Sequence, residues 1–170
     1  EYDMPFTVGF PAGMKHREIF LERLNGKDIT LGRGNSDSEL TTLILGEQTF
    51  SNSLREALLF ETDLVDIRVA SFFEMDEAYA QEIDIYFQSE SELHQYVSEN
   101  SIDIVIGDPL YKKVFKNKDL LLFFAIPHLA VSSRLYWHEG LLLTDGLWIE
   151  LLDKMVRKRT NSSINTAVSL

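Results

Sequence analysis

No cysteine occurs in the 170 residues, so disulfides, thiolate metal sites and cysteine-ligated iron–sulfur clusters are excluded within this chain. Positive charge is scarce: 16 Lys and Arg stand against 27 Asp and Glu, a formal net charge of −11. That balance argues against nucleic acid, because phosphate binding needs a clustered basic surface that releases counterions. The one basic cluster, Lys154 to Arg159, follows a helix-like segment. Positive charge there suits the carboxyl end of a helix dipole. No apolar run approaches the roughly 20 residues that a membrane helix needs, and no secretory leader is expected. The expectation is a soluble, cytoplasmic protein with neither a nucleic-acid nor a membrane partner. The chain opens on Glu1 rather than Met and runs straight into Tyr2-Asp3-Met4-Pro5, which suggests a piece of something longer.

Several catalytic signatures are missing as well. Neither G-x-G-x-x-G nor a lysine-containing phosphate loop occurs, and Glu47 at the corresponding turn would repel an anion. The third expected strand ends at Phe87-Gln88 rather than at an aspartate, and no acidic pair closes the first, so a phosphoacceptor receiver domain is disfavoured. No G-x-S-x-G surrounds Ser51 or Ser53, which leaves a hydrolase elbow unsupported. His16, His94, His128 and His138 are too widely spaced for a local metal motif. Of these, His16 and His94 read as solvated helix residues. Glu74, Asp76 and Glu77 read as a solvated acidic loop, and Phe72, Phe73, Phe123 and Phe124 as core.

What is present is a repeated strand signal. Thr41 to Glu47 (TTLILGE) and Ile102 to Asp108 (IDIVIGD) are aliphatic runs closed by glycine and an acid. Continuous aliphatic runs mark strands covered on both faces, and a terminal glycine permits a tight turn. With 45% hydrophobic residues, the chain has material for one substantial core. Further strands are expected near Asp66 to Phe73, Ile83 to Phe87 and Leu120 to Ile126. Helices are expected over Met14 to Leu24, with Ile19, Phe20 and Leu24 on one face, and over Ser51 to Phe60, with Ser53 and Glu56 as a capping box. Others are expected from Ser89 to about Glu99, with Ser89 and Glu92 again at capping-box spacing, from Asp108-Pro109 through Phe115, and from Gly140 to Arg157. Leu31 to Ser38 reads as a mobile loop.

Alternating strands and helices imply right-handed crossovers and a parallel sheet. The expected class is α/β: a three-layer Rossmann-like sandwich with a mostly parallel sheet of about five strands. Residues 1–40 would be a leading segment and helix packed on the core, 41–158 the α/β domain, and 159–170 a flexible tail. The first strand should lie near the middle, with the turns at Gly46, Gly107 and Pro127 converging on one edge. Ligands of open α/β sheets bind at that carboxyl edge.

Read in order, several segments resemble the carboxyl-terminal domain of the nitrogenase component 1 family. That family includes the nitrogenase molybdenum-iron protein subunits, cofactor-assembly homologues and light-independent protochlorophyllide reductase subunits. The segments are MPFTVGFPAGMKHREIFL (4–21), TTLILGEQTFSNSLREAL (41–58), IDIVIGDPLYKKVF (102–115), FFAIPHL (123–129) and WHEGLLLTDGLWIELLDKM (137–155). Two departures stand out: Arg17 where the family helix usually has threonine, and Trp137-His138 in place of Gly-Tyr. Tyr136 takes the place of a metal-ligating histidine, and a neutral phenol is a poor substitute for imidazole.

The resemblance implies an oxidoreductase subunit that receives electrons from an ATP-dependent iron–sulfur reductase. This chain would hold no cofactor itself; an iron–sulfur or related cluster would be held by residues outside it. Implied partners are sister domains and a related subunit in a homo- or hetero-oligomer. Gly46, Glu47, Gln48, Gly107, Asp108, Pro127, Tyr136, Trp137, Glu139 and Gly140 would wall the crevice, with His138 as proton donor and His128 as a second acid–base group. The contrasting expectation is a non-catalytic scaffold or small-molecule-binding module that kept the fold and lost redox function.

Overall fold

A computed structural model describes residues 8–27, 29, 39–116, 122–128, 131–132 and 146–167, with side chains described to residue 158. Five strands, β1 (Thr41–Leu45), β2 (Asp66–Ser71), β3 (Ile85–Tyr86), β4 (Ile104–Gly107) and β5 (Leu122–Ala125), form one sheet in the order β3-β2-β1-β4-β5. Every pairing is parallel. Four helices accompany them: α1 (Met14–Leu24), α2 (Gln48–Glu61), α3 (Glu90–Glu99) and α4 (Leu147–Ala167). The result is the expected Rossmann-like α/β sandwich with β1 at its centre.

Strand alternation divides the core into two. Ile44, Val69, Ile104, Ile106 and Phe124 point to one face, where Leu54, Ala57 and Leu58 of α2 and Trp148, Ile149 and Leu152 of α4 cover them. Leu43, Leu45, Ala70 and Val105 point to the other, beneath Leu93 and Val97 of α3 and Phe115. Both faces of the sheet are therefore dry, which is why its strands read as continuous aliphatic runs. The edge at β3 is held by Asp84, whose buried carboxylate accepts from Arg55 and from the backbone N–H groups of Val69 and Gln81.

Several local readings need correction. The chain turns into α2 at Glu47, earlier than Ser51, and the Glu47 carboxylate accepts from the N–H groups of Thr49 (2.8 Å) and Phe50 (2.9 Å). Ser53 and Glu56 therefore lie inside the helix and do not form a capping box. Ser53 donates to the Thr49 carbonyl and accepts from Phe10 N–H. Helix α4 starts at Leu147 because Gly146, at φ +76°, breaks the helical path before it. It then continues to Ala167, so the basic cluster sits along a helix rather than at its end, with Lys154 and Arg157 paired to Glu150 and Asp153 one turn earlier. β2 stops at Ser71, which leaves Phe72 and Phe73 in the turn beyond it. The expected cap at Ser89 does form: its hydroxyl accepts from Glu92 N–H, and Glu92 accepts from Gln88 N–H. The segment Leu31 to Ser38 lies outside the described residues.

His16 is the clearest misreading. It is 1% exposed, although its sequence neighbours are charged. His16, Phe20 and Arg23 share the face of α1 turned toward α2. Ala12 N–H donates to Nδ1 of His16 (3.2 Å), which places the ring proton on Nε2, facing Glu56 at 2.8 Å. Arg23 holds the same carboxylate through both terminal nitrogens. Burial alone would raise the Glu56 pKa, yet the hydrogen bonds from His16 and Arg23 and the charge of Arg23 outweigh it and hold the carboxyl below its ordinary value. Leu24, expected on the inner face, is instead exposed.

Candidate functional site

The register places Leu45 beside both Ala70 and Gly107, and Gly107 beside Ala125. The turns after β1, β2, β4 and β5 therefore emerge together along one carboxyl edge. Because the chain builds outward through β2 and β3 and then returns to place β4 on the other side of β1, the switch point lies between β1 and β4.

At this edge both glycine–acid pairs end a strand and start a helical turn. Glu47 caps α2, as described above. Asp108 is 1% exposed and caps the short helical turn Pro109–Lys113 by accepting from Leu110 N–H (2.9 Å). Its second oxygen accepts from His128 N–H (2.8 Å), which ties the end of β4 to the segment leaving β5. The carboxylate of Glu47 occupies the amino terminus of α2, where a phosphate would otherwise bind. Gln48 is buried and its amide pairs in both directions with the backbone of Asp76, fixing the loop beyond β2.

His128 is the residue that draws these turns together. Its backbone is held by Asp108 and by the N–H groups of Val131 and Ser132, both bonded to its carbonyl. Its half-buried ring meets Phe50 of α2 edge-on at 5.3 Å and Phe73, beyond β2, at 6.0 Å. The His128 ring thus joins the segment leaving β5 to α2 and to the turn after β2. Phe10 stacks on Phe50 at 5.2 Å. Tyr111 lies beside the same turn; burial first, then the charges of Asp108 and Glu90, push its phenol above the ordinary range.

Gly46, Glu47, Gln48, Gly107, Asp108, Pro127 and His128 therefore share one edge, at which the carboxylates serve as caps. His138, Tyr136, Trp137, Glu139 and Gly140 lie outside the described residues. Phe50 and Phe73 were missed as site residues, since an aromatic beside a strand end carries no signal separating a core ring from one that flanks an imidazole. Two depressions lie elsewhere. One, of about 240 Å³, borders Thr49, Asn52 and Glu56 on the outer face of α2, and another, of about 300 Å³, borders Leu40, Leu64 and Leu152 at the opposite edge of the sheet. No helix among the described residues is long and apolar enough to cross a membrane.

Fold and edge together define a Rossmann-like α/β sandwich with an aromatic-flanked histidine at its switch point. Comparison with protein-family models, with curated proteins and with solved structures finds no match to this chain.

Proposed function

We propose that this chain is a cytoplasmic domain of a nitrogenase component 1-like oxidoreductase subunit, and that its carboxyl edge forms one wall of a metal-cluster or substrate crevice. The observation that carries the reading is His128 at the switch point, its backbone fixed by Asp108 and its ring set between Phe50 and Phe73. The ordered resemblance of the sequence segments supports it, as does a sheet that turns several loops toward one side. Electrons would come from an ATP-dependent iron–sulfur reductase, and sister domains with a related subunit would close the crevice.

The residues at this edge do not suit a cluster. Glu47 and Asp108 already accept two hydrogen bonds each from backbone, and His128 is the one imidazole beside them among the described residues. A cluster would need ligands from outside this edge. The role left to this chain is to shape the wall and to hold or pass a proton at the His128 ring, imidazole being a side chain that can both donate and accept one.

The test is anaerobic purification of the intact protein, followed by iron and sulfide analysis and electron uptake from an ATP-dependent iron–sulfur reductase. Alanine at His128 is expected to lower turnover at least severalfold without changing the far-ultraviolet circular dichroism. Unchanged turnover would remove the role of His128. Absence of both metal and electron uptake would overturn the oxidoreductase reading. The engagement of both edge acids in capping would then favour a scaffold or small-molecule-binding module.

A further inference from the structure

Polarity is inverted where the chain passes from β2 to β3. Residues 76–83 are exposed throughout, and Tyr79 (47%), Ile83 (44%) and, within β3, Tyr86 (49%) stand in solvent. These two tyrosines are the only exposed aromatic residues among the described ones. The polar groups turn inward instead. Gln48, Asn52 and Arg55, spaced four and three along one face of α2, fasten the loop. Gln48 pairs with the backbone of Asp76, Asn52 donates to the Tyr79 carbonyl, and buried Arg55 binds the buried Asp84 carboxylate. Burying an ion pair while three large apolar side chains stay in water reverses the ordinary partition. It also fixes the outward side chains before any contact is made, which lowers the entropy cost of binding.

The charge of this region is equally one-sided. Between Arg68 and Lys112 the sequence holds ten Asp and Glu and no Lys or Arg, so nearly the whole net charge of −11 resides there, and elsewhere the two signs almost balance. Exposed Asp76, Glu77 and Glu82 alternate with the exposed apolar residues, and exposed Glu90 and Glu92 open α3 just after Tyr86. A nucleic acid or an anionic membrane would be repelled, and a second copy brings the same negative charge. No group of His, Asp and Glu placed to hold a metal ion occurs among the described residues.

We infer that this flank of the sheet, from the helical turn Glu77–Tyr79 through β3 to the start of α3, docks a segment of another protein in which Lys or Arg alternates with apolar residues. β3 is the outermost strand, so the flank is open to such a segment. Its cations meet the carboxylates and the ring faces of Tyr79 and Tyr86. One of its apolar side chains enters the depression of about 240 Å³ that Tyr79 and Gln81 border. Complementary charge selects the partner and speeds its encounter. The surface uses neither Asp108 nor His128, and the inference stands separately from the proposed crevice.

Isothermal titration calorimetry of the full chain at physiological salt, with a short synthetic peptide of alternating Lys and Leu, tests it. Wild type is expected to bind. Tyr79→Ser with Tyr86→Ser leaves every charge in place and should weaken binding about tenfold. Tyr79→Phe with Tyr86→Phe keeps both ring faces and should preserve it. Glu77→Gln with Glu82→Gln should also weaken binding, whereas Glu18→Gln with Glu150→Gln, the same charge change on exposed acids of α1 and α4, should not. All six positions are exposed, so circular dichroism should be unchanged in every variant. No binding by wild type, binding indifferent to the loss of both rings, or equal weakening by the two pairs of acid substitutions would each overturn the inference.

Discussion

The ends of β1 and β4 carry the same local message, an aliphatic run closed by glycine and an acid, and the fold uses them differently. Glu47 lies at the surface and satisfies two N–H groups of a single helix, so its contribution is local. Asp108 is buried and divides its oxygens between its own helical turn and His128, twenty residues further along. The glycines differ in parallel. A Cβ on Gly46 would stand 3.0 Å from the side-chain oxygen of Ser51, whereas on Gly107 it would stand 2.9 Å from the backbone carbonyl of Leu45. The β1 end is thus a helix start, and the β4 end is a fastening between segments. The difference follows from which strand lies alongside: β5 pairs with β4, so the segment leaving β5 passes within hydrogen-bond reach of Asp108.

Removing the two acids should separate these roles most widely. Asp108→Ala strips a charged acceptor from two backbone donors in a dry site, at an expected cost of about 3 kcal/mol. For a domain of this size that corresponds to a melting temperature lower by roughly 6–12 °C. Glu47→Ala removes a cap that water can replace, at about 1 kcal/mol. Denaturant titration of both variants measures the contrast, and equal losses would mean that the link to His128 contributes nothing.

The glycines give a smaller version of the same contrast. Neither Gly46 nor Gly107 is among the described glycines with positive φ, so alanine is permitted by the backbone at both, and only space decides. At Gly107 the obstacle is a carbonyl within a paired strand, which cannot move alone; Gly107→Ala is expected to cost about 2 kcal/mol. At Gly46 the obstacle is a hydroxyl that can rotate, and Gly46→Ala should cost less than about 1 kcal/mol. The Ser51 hydroxyl is buried with no hydrogen-bond partner among the described residues, so Ser51→Ala should be neutral or stabilising and should abolish the Gly46→Ala penalty. A Gly46→Ala loss that persists in the double variant would show that the turn itself is strained.

The boundary between legible and illegible follows from how far each signal reaches. Strand identity and central β1 were readable because burial on both faces writes itself into consecutive residues such as Ile104, Val105 and Ile106. The Ser89 cap was readable because both of its partners lie within four residues. The inward turn of His16 was not, because it depends on Glu56, forty positions away, and the charges around it belong to the opposite face of α1. Glu47 was read as an anion-repelling group at the edge, which its position supports; its capping role was missed because a glutamate cap is less common than Ser, Thr, Asp or Asn. Asp108 was placed at the edge by sequence alone. Its bond to His128 depends on β5 lying beside β4, and no local pattern encodes that adjacency.

The smallest expected effect separates the acids by their fields rather than their hydrogen bonds. Tyr111 titrates above its ordinary value because of burial first and then the negative charge of Asp108 and Glu90. A raised phenol pKa means that above about pH 10 the unfolded chain loses its proton before the folded one does. The stabilisation is complete below that pH and is lost as pH rises through the folded value. Asp108→Asn removes the charge while keeping one acceptor oxygen, so Tyr111 should titrate closer to the ordinary range and the alkaline loss of stability, which still begins at the unfolded value, should be smaller. Glu47→Gln should leave Tyr111 unmoved. Ultraviolet difference titration against Tyr111→Phe isolates this phenol from the other tyrosines. If Asp108→Asn shifts nothing, burial alone accounts for the perturbation, and the contrast between the strand ends reduces to the two hydrogen bonds that Asp108 accepts.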